Sequence, residues 1–205
     1  MQVVGSVTCH IATSEKIVAL SFDDGPTPQG IDAVLPVLDR YGVKATFFLI
    51  GKQIERHPGQ ARRLVAAGHE LGNHSFSHTW MLGKSATTYD SEIARTDTLL
   101  KSEGAIRPTL FRPPFGKRLI GLPLAVERNG YLMVTWDVED DAKGAVTPRA
   151  YADHILSQVG PGSIILMHPM SRENETARAA LPLVLDGLAA RGVRVVPVGE
   201  LLGLR

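Results

Sequence analysis

Cysteine is almost missing from this chain. One residue, Cys9, in 205 cannot build an internal disulfide framework, and a structural zinc site, which usually takes several Cys ligands, is disfavoured. The absence does not fix a compartment, because secreted bacterial proteins often lack disulfides. No apolar run approaches the ~20 residues of a transmembrane helix. Charge of one sign is missing too: 22 Lys and Arg against 21 Asp and Glu leave +1. That balance argues against a large basic footprint for nucleic acid or acidic membranes. No GxGxxG or GxxxxGK[ST] follows an apolar run, so nothing points to a nucleotide. Repeats, low-complexity stretches and charge blocks are also lacking. The opening MQVVGSVTCH has neither a positive start nor an apolar core, so no secretory signal is read in this chain. A cytoplasmic location stays open, as does a secreted or periplasmic one after removal of a leader.

What is present is ordinary globular material, 44% apolar and 21% charged, in one domain's length. Short apolar runs alternate with amphipathic ones. Ile17–Phe22, Ala45–Ile50, Glu70–Asn73, Thr109–Arg112, Tyr131–Trp136, Ser163–Met167 and Val193–Val196 read as buried strands. Helical patterns fall at Ile31–Tyr41, Gln53–Ala67 with a break or restart at Pro58, Thr88–Lys101, Leu122–Arg128, Pro148–Val159 and Ala177–Ala190. Strand–helix alternation predicts parallel strands with right-handed crossovers. Seven strands in 205 residues is 205/7, about 29 residues per unit, near the smallest βαβ repeat. A small barrel and an open doubly wound sheet both satisfy this.

The informative side chains share one position. Asp23 and Asp24 end the first of these strands, His74 and His78 follow the third, Arg112 ends the fourth, Trp136 and Asp137 the fifth, and His168 the sixth. In a parallel α/β fold these C-terminal strand ends form one rim, where active sites are built. The Asp23-Asp24-Gly25-Pro26 run is compatible with a helix-capping turn. It is also compatible with one Asp binding a metal while its neighbour acts as a base. His74 and His78, at i and i+4 on a helix or helical turn, share a face. Two His and one Asp leave a position open for water, as catalytic metal sites do. Arg112 is expected to find a carboxylate, plausibly Asp23, and the rigid Pro113-Pro114-Phe115-Gly116 turn could offer a backbone N–H to an oxyanion. His168 is a candidate general acid. His10, His57, His69 and His154 read as surface or structural residues.

The set SFDDGP, HSFSH, RPPFG and LMH, in this order, resembles the polysaccharide deacetylase family, the NodB-homology domain of carbohydrate esterase family 4. The resemblance runs from about residue 16 to 202 and implies one domain over 1–205, folded as a distorted (β/α)7 barrel. It implies Asp23 as catalytic base, and Asp24, His74 and His78 as ligands of a divalent metal, zinc or alternatively cobalt. It implies Arg112 as the residue orienting the base, the Phe115 backbone N–H as oxyanion donor and His168 as general acid. Pro114, Leu166 and Trp136 are expected to line the substrate pocket. The family's D-x-x-D-W stretch, whose second Asp is expected to partner the Arg, is altered to Trp136-Asp137-Val138-Glu139-Asp140-Asp141-Ala142. Asp141 is taken as the stand-in, with Asp140 the alternative. The implied reaction is metal-dependent removal of acetyl groups from glycans containing N-acetylglucosamine, such as chitooligosaccharide or peptidoglycan, with acetate as product. Acetylxylan O-deacetylation and cyclic-amide hydrolysis are alternatives on the same fold. An iron oxygenase built on two His and one carboxylate, and a non-catalytic glycan-binding relative, are the competing classes.

Overall fold

The computed structural model describes residues 7–106, 109–140, 147–171 and 173–204. All seven expected strands form, as β2 (Ile17–Phe22), β3 (Thr46–Leu49), β4 (Glu70–Asn73), β5 (Leu110–Phe111), β6 (Leu132–Val134), β7 (Ile164–Met167) and β8 (Arg194–Val196). A two-residue strand, β1 (Val7–Thr8), precedes them, too short to leave a periodic signal. Every ladder is parallel, in the order β1-β6-β5-β4-β3-β2-β7, with β8 beside the first half of β2. Between β6 and β7 no ladder forms among the described residues: isolated bridges join Val138, beyond β6, to Ile165 and, antiparallel, His10, beyond β1, to Ser163. That seam makes the result a distorted barrel rather than a regular one. No helix among the described residues is long and apolar enough to cross a membrane.

Helices α1 (Pro28–Arg40), α2 (Gly51–Arg56), α3 (Gln60–Ala66), α4 (Ala86–Ser102), α5 (Gly121–Arg128), α6 (Pro148–Gln158), α7 (Glu175–Ala190) and α8 (Val198–Leu201) complete the chain. Helix α1 starts three residues before its apolar pattern does. Thr27 caps it by accepting from the Gly30 N–H, and Pro28 takes the first turn, where its missing N–H costs nothing. The expected interruption at Pro58 is a full break: α2 stops at Arg56, and α3 begins after Gly59 at φ 81°. Helix α8, four residues long, was below the reach of periodicity.

Strand parity sorts the side chains. On β2, Val18, Leu20 and Phe22 join the large core against α1, α6 and α7, while Ile17 and Ala19 join a smaller cluster with Phe48, Leu110, Val134 and Ile164. That second cluster fills the barrel. Its rows continue upward in steps of two, from Ile17 and Ala19 through Ser21 to Asp23, and from Leu110 to Arg112. Gly72, one step below His74, lies against the Phe48 ring, and a Cβ there would stand 2.4 Å from Phe48 Cδ1. The interior at this level is filled by one large and one minimal residue.

Gly72→Ala should therefore force the Phe48 ring aside. Overpacking of this kind costs about 1–3 kcal/mol, readable as a lower urea midpoint. An unchanged midpoint would show that the ring is not confined.

Candidate active site

Asp23 leaves β2 in phase with the barrel interior and is buried. Its Oδ1 accepts from Arg112 Nη1 at 2.9 Å. Arg112 directly follows β5, has no exposed surface, and donates from Nη2 to the Thr135 carbonyl at 3.2 Å. Its guanidinium lies 4.0 Å over the Phe48 ring and 5.5 Å from Trp136. Burial pushes the Asp23 carboxyl upward. The positive charges of Arg112, His74 and His168 and the Arg112 hydrogen bond together outweigh it, holding Asp23 below the usual carboxylate range.

The next residue breaks parity. Asp24 has φ 74°, a left-handed conformation uncommon for a residue with a Cβ, so its carboxylate comes to the rim instead of packing against helices. His78 stands 3.3 Å from Asp24 Oδ1 and His74 3.8 Å from the same atom, both through Nε2. One ligand atom from each of the three residues falls within a 4.8 Å span. Two ligands about 2.0–2.1 Å from a tetrahedral zinc stand roughly 3.3–3.4 Å apart, so the set fits such an ion. His74 Nδ1 lies 2.8 Å from the Arg112 carbonyl, which can only accept, so Nδ1 donates and Nε2 is the nitrogen turned to the cradle. Burial and the neighbouring His74 push the His78 pKa down, against the pull of Asp24 and Asp23.

His74 and His78 converge without a helix. The segment is a bent loop with Ser75 at φ 62° and His78 at φ 54°. Asn73 Oδ1 accepts from Ser75 N–H, Ser75 Oγ from His78 N–H, and Glu92 of α4 from the N–H groups of Phe76 and Ser77. A helix would have satisfied those amides internally; here α4 supplies the acceptor.

His168, after β7, follows the Ile164 row. Its Nδ1 is 2.8 Å from Asp140 Oδ1, and its backbone N–H donates to Asp140 Oδ2 at 2.7 Å. Tyr151 also donates to Asp140 Oδ2. Burial alone would lower the His168 pKa. The hydrogen bond and charge of Asp140, with Asp23 and Asp24, reverse this and push it up to about 9. Among the described residues of this stretch, Asp140 enters the site, and it holds His168 rather than Arg112. Arg112 has Asp23 and Thr135 as its partners. Asp141 lies outside the described residues. Acidic density in Glu139-Asp140-Asp141 announced a carboxylate but could not say which one or for whom.

The RPPFG turn holds Phe115 at φ 58° and Gly116 at φ 63°. A Cβ on Gly116 would meet Trp136 Cη2 at 3.0 Å, so the indole packs directly against that glycine. The Phe115 ring is half exposed and packs 4.7 Å from His78. Pro114 and Leu166 are buried beside these elements. His69 is buried as a structural residue: its Nδ1 accepts from Ala45 N–H, and burial drives its pKa down to about 4.

A parallel α/β barrel with an Asp-His-His cradle, a buried Arg-held carboxylate and an Asp-held imidazole at one strand-end rim defines a class of hydrolase, and it lacks the all-β frame an oxygenase reading needed. Residues 10–134 match the polysaccharide deacetylase family model, and the chain belongs to that family of hydrolases. It is 31% identical over 204 residues, 98% of this chain and 95% of the relative, to a peptidoglycan-N-acetylglucosamine deacetylase of Bacillus cereus. It is 29% identical to a chitooligosaccharide deacetylase of Azorhizobium caulinodans, covering 97% of this chain and all of the relative. A crystal structure of a peptidoglycan N-acetylglucosamine deacetylase bound to a hydroxamate-type benzamide superposes with a TM-score of 0.90 at 29% identity, over 96% of this chain and 92% of that one. Several curated relatives are longer, and the chain spans about 40% of their length.

In the metal-free protein, the His168 imidazole should titrate near pH 9 by NMR. Its raised pKa contributes stability that is complete below about 6.5 and lost as pH rises through about 9. Asp140→Asn should bring the midpoint below 7. A midpoint that stays near 9 in that variant would remove Asp140 as the cause.

Proposed function

We propose that this protein hydrolyses the acetamide of N-acetylglucosamine units in a glycan, releasing acetate and a free amino sugar, with a divalent metal, preferably zinc, at Asp24, His74 and His78. The observation that supports it most is the coexistence, around one cradle, of a carboxylate kept ionised and an imidazole kept protonated. Environments that push two groups apart in pKa assign them base and acid.

When bound, the metal would acidify a water to a pKa near 7 and polarise the acetyl carbonyl. Asp23 accepts the proton of the attacking water. It is free to do so because its partners keep it ionised at neutral pH, and Arg112 fixes its direction through Oδ1 while Oδ2 faces His74, 3.6 Å away. The Phe115 N–H, held in a turn of two prolines and two left-handed residues, donates to the developing oxyanion. His168 enters the reaction protonated and gives its Nε2 proton to the departing sugar nitrogen, while Asp140 stabilises the imidazolium through Nδ1. Trp136 and Leu166 close the side of the cleft where an acetyl methyl would sit.

Asp23→Asn should lower acetate release from N,N′,N″,N‴-tetraacetylchitotetraose by 10²–10⁴-fold while metal content by elemental analysis stays near one per chain. His74→Ala should instead lose the metal. Chelation should abolish turnover in the wild type, and added zinc should restore it. A metal-replete Asp23→Asn protein with wild-type turnover would exclude Asp23 as the base.

A further inference from the structure

A recess of about 660 Å³ has Asp24 and His78 in its wall and extends from them between the start of α1 and α2. It is within the size range of small-ligand sites. The deacetylation steps use none of its α2 residues. Gln53 and Arg56, three positions apart on that short helix, share one face, and His57 follows. The Gln53 side-chain oxygen is buried and has no hydrogen-bond partner. An acceptor in that position is costly until a donor arrives. Arg56 has no ion pair or hydrogen bond among the described residues. The one carboxylate on its own helix, Glu55, is turned toward Arg95 of α4 at 3.9 Å. The one carboxylate in the recess wall, Asp24, is engaged with His78 and His74. Nothing described therefore neutralises Arg56 from within.

We propose that this recess is a subsite for the sugar adjoining the one deacetylated, and that it selects a sugar carrying a carboxylate. The inference rests on the deacetylase reading and names the substrate class for it. The Arg56 guanidinium takes the carboxylate by a two-pronged, charge-assisted contact. Gln53 accepts from a hydroxyl or amide N–H of the same unit, which ends its isolation. Chitooligosaccharide has only neutral acetylated sugars and leaves Arg56 unused. A glycan in which N-acetylglucosamine alternates with a lactyl-ether sugar, as in peptidoglycan strands whose stem peptides have been removed, places a carboxylate one unit away from the acetamide.

The test uses the zinc-loaded full chain with two tetrasaccharides, the neutral chitotetraose and a peptidoglycan-derived one with free lactyl carboxylates. Arg56→Gln is expected to raise KM for the anionic substrate about tenfold, with kcat unchanged and the neutral substrate unaffected. Arg56→Lys should recover part of the loss, and added salt should weaken only the anionic substrate. Equal effects on both substrates, or none on either, would overturn the subsite. Calorimetric binding of the anionic tetrasaccharide to wild type and Arg56→Gln separates this from failure of the reaction itself. If the wild type released acetate from neither glycan, the deacetylase reading would fall. A tenfold binding difference would still support the recess, and identical binding would overturn it.

Discussion

A guanidinium with no exposed surface needs a carboxylate, and the geometry of this site follows from how Arg112 meets that need. Moving two charges out of water costs several kcal/mol each, and removing one partner of such a pair costs about 3–5 kcal/mol. Arg112 is therefore committed to Asp23, and Asp23 to Arg112. The same residue positions a third member, because its backbone carbonyl orients the His74 ring. One side chain and its own main chain thus set the carboxylate direction and the tautomer of a candidate ligand. Phe48 beneath the guanidinium and Trp136 beside it keep water out, which strengthens every charge interaction in the cleft. Arg112 Nε remains without a partner, a cost this packing tolerates.

The opposite charge logic governs His168. Two separate groups of that residue, its ring and its backbone N–H, are bound by the two oxygens of Asp140, which also takes the Tyr151 hydroxyl. A carboxylate so engaged cannot swing toward Arg112. Among the described residues, Arg112 is the direct partner that keeps Asp23 ionised, and Asp140 is the one that keeps His168 protonated. At neutral pH Asp23 and His168 are thereby held in opposite protonation states at one rim. The two are also coupled through space: His168 helps to lower the Asp23 pKa, and Asp23 helps to raise that of His168.

Much of this was legible in the residue order because a strand has a period of two. Once the strands at 17–22, 70–73 and 164–167 are identified, the side-chain parity of Asp23, His74 and His168 follows, and parallel connections bring those ends to one rim. Asp24 and His78 were legible as residue types, but not as geometry. Each reaches the cradle through a left-handed backbone, and nothing in the local pattern distinguishes that from a helical turn. The HSFSH segment shows the cause. Its amides are satisfied by Glu92, some fifteen residues away on α4, and no local rule knows that acceptor is there.

The sequence by itself determined the strand and helix order, the parity of the rim residues, and the chemical inventory of two adjacent carboxylates, paired imidazoles and a lone arginine. Those are local properties, fixed by backbone periodicity and side-chain chemistry. Only the tertiary structure decided which carboxylate serves which cation, because several were within a few residues of each other and pairing depends on distance through space. Asp140 went to His168 and Asp23 to Arg112 for that reason. The tertiary fold alone also showed that α2 turns Glu55 away and leaves Arg56 and Gln53 facing a recess. The scarce cysteine and balanced charge of the chain disfavoured other classes of protein; the pairing of a few buried charges through space is what the fold added.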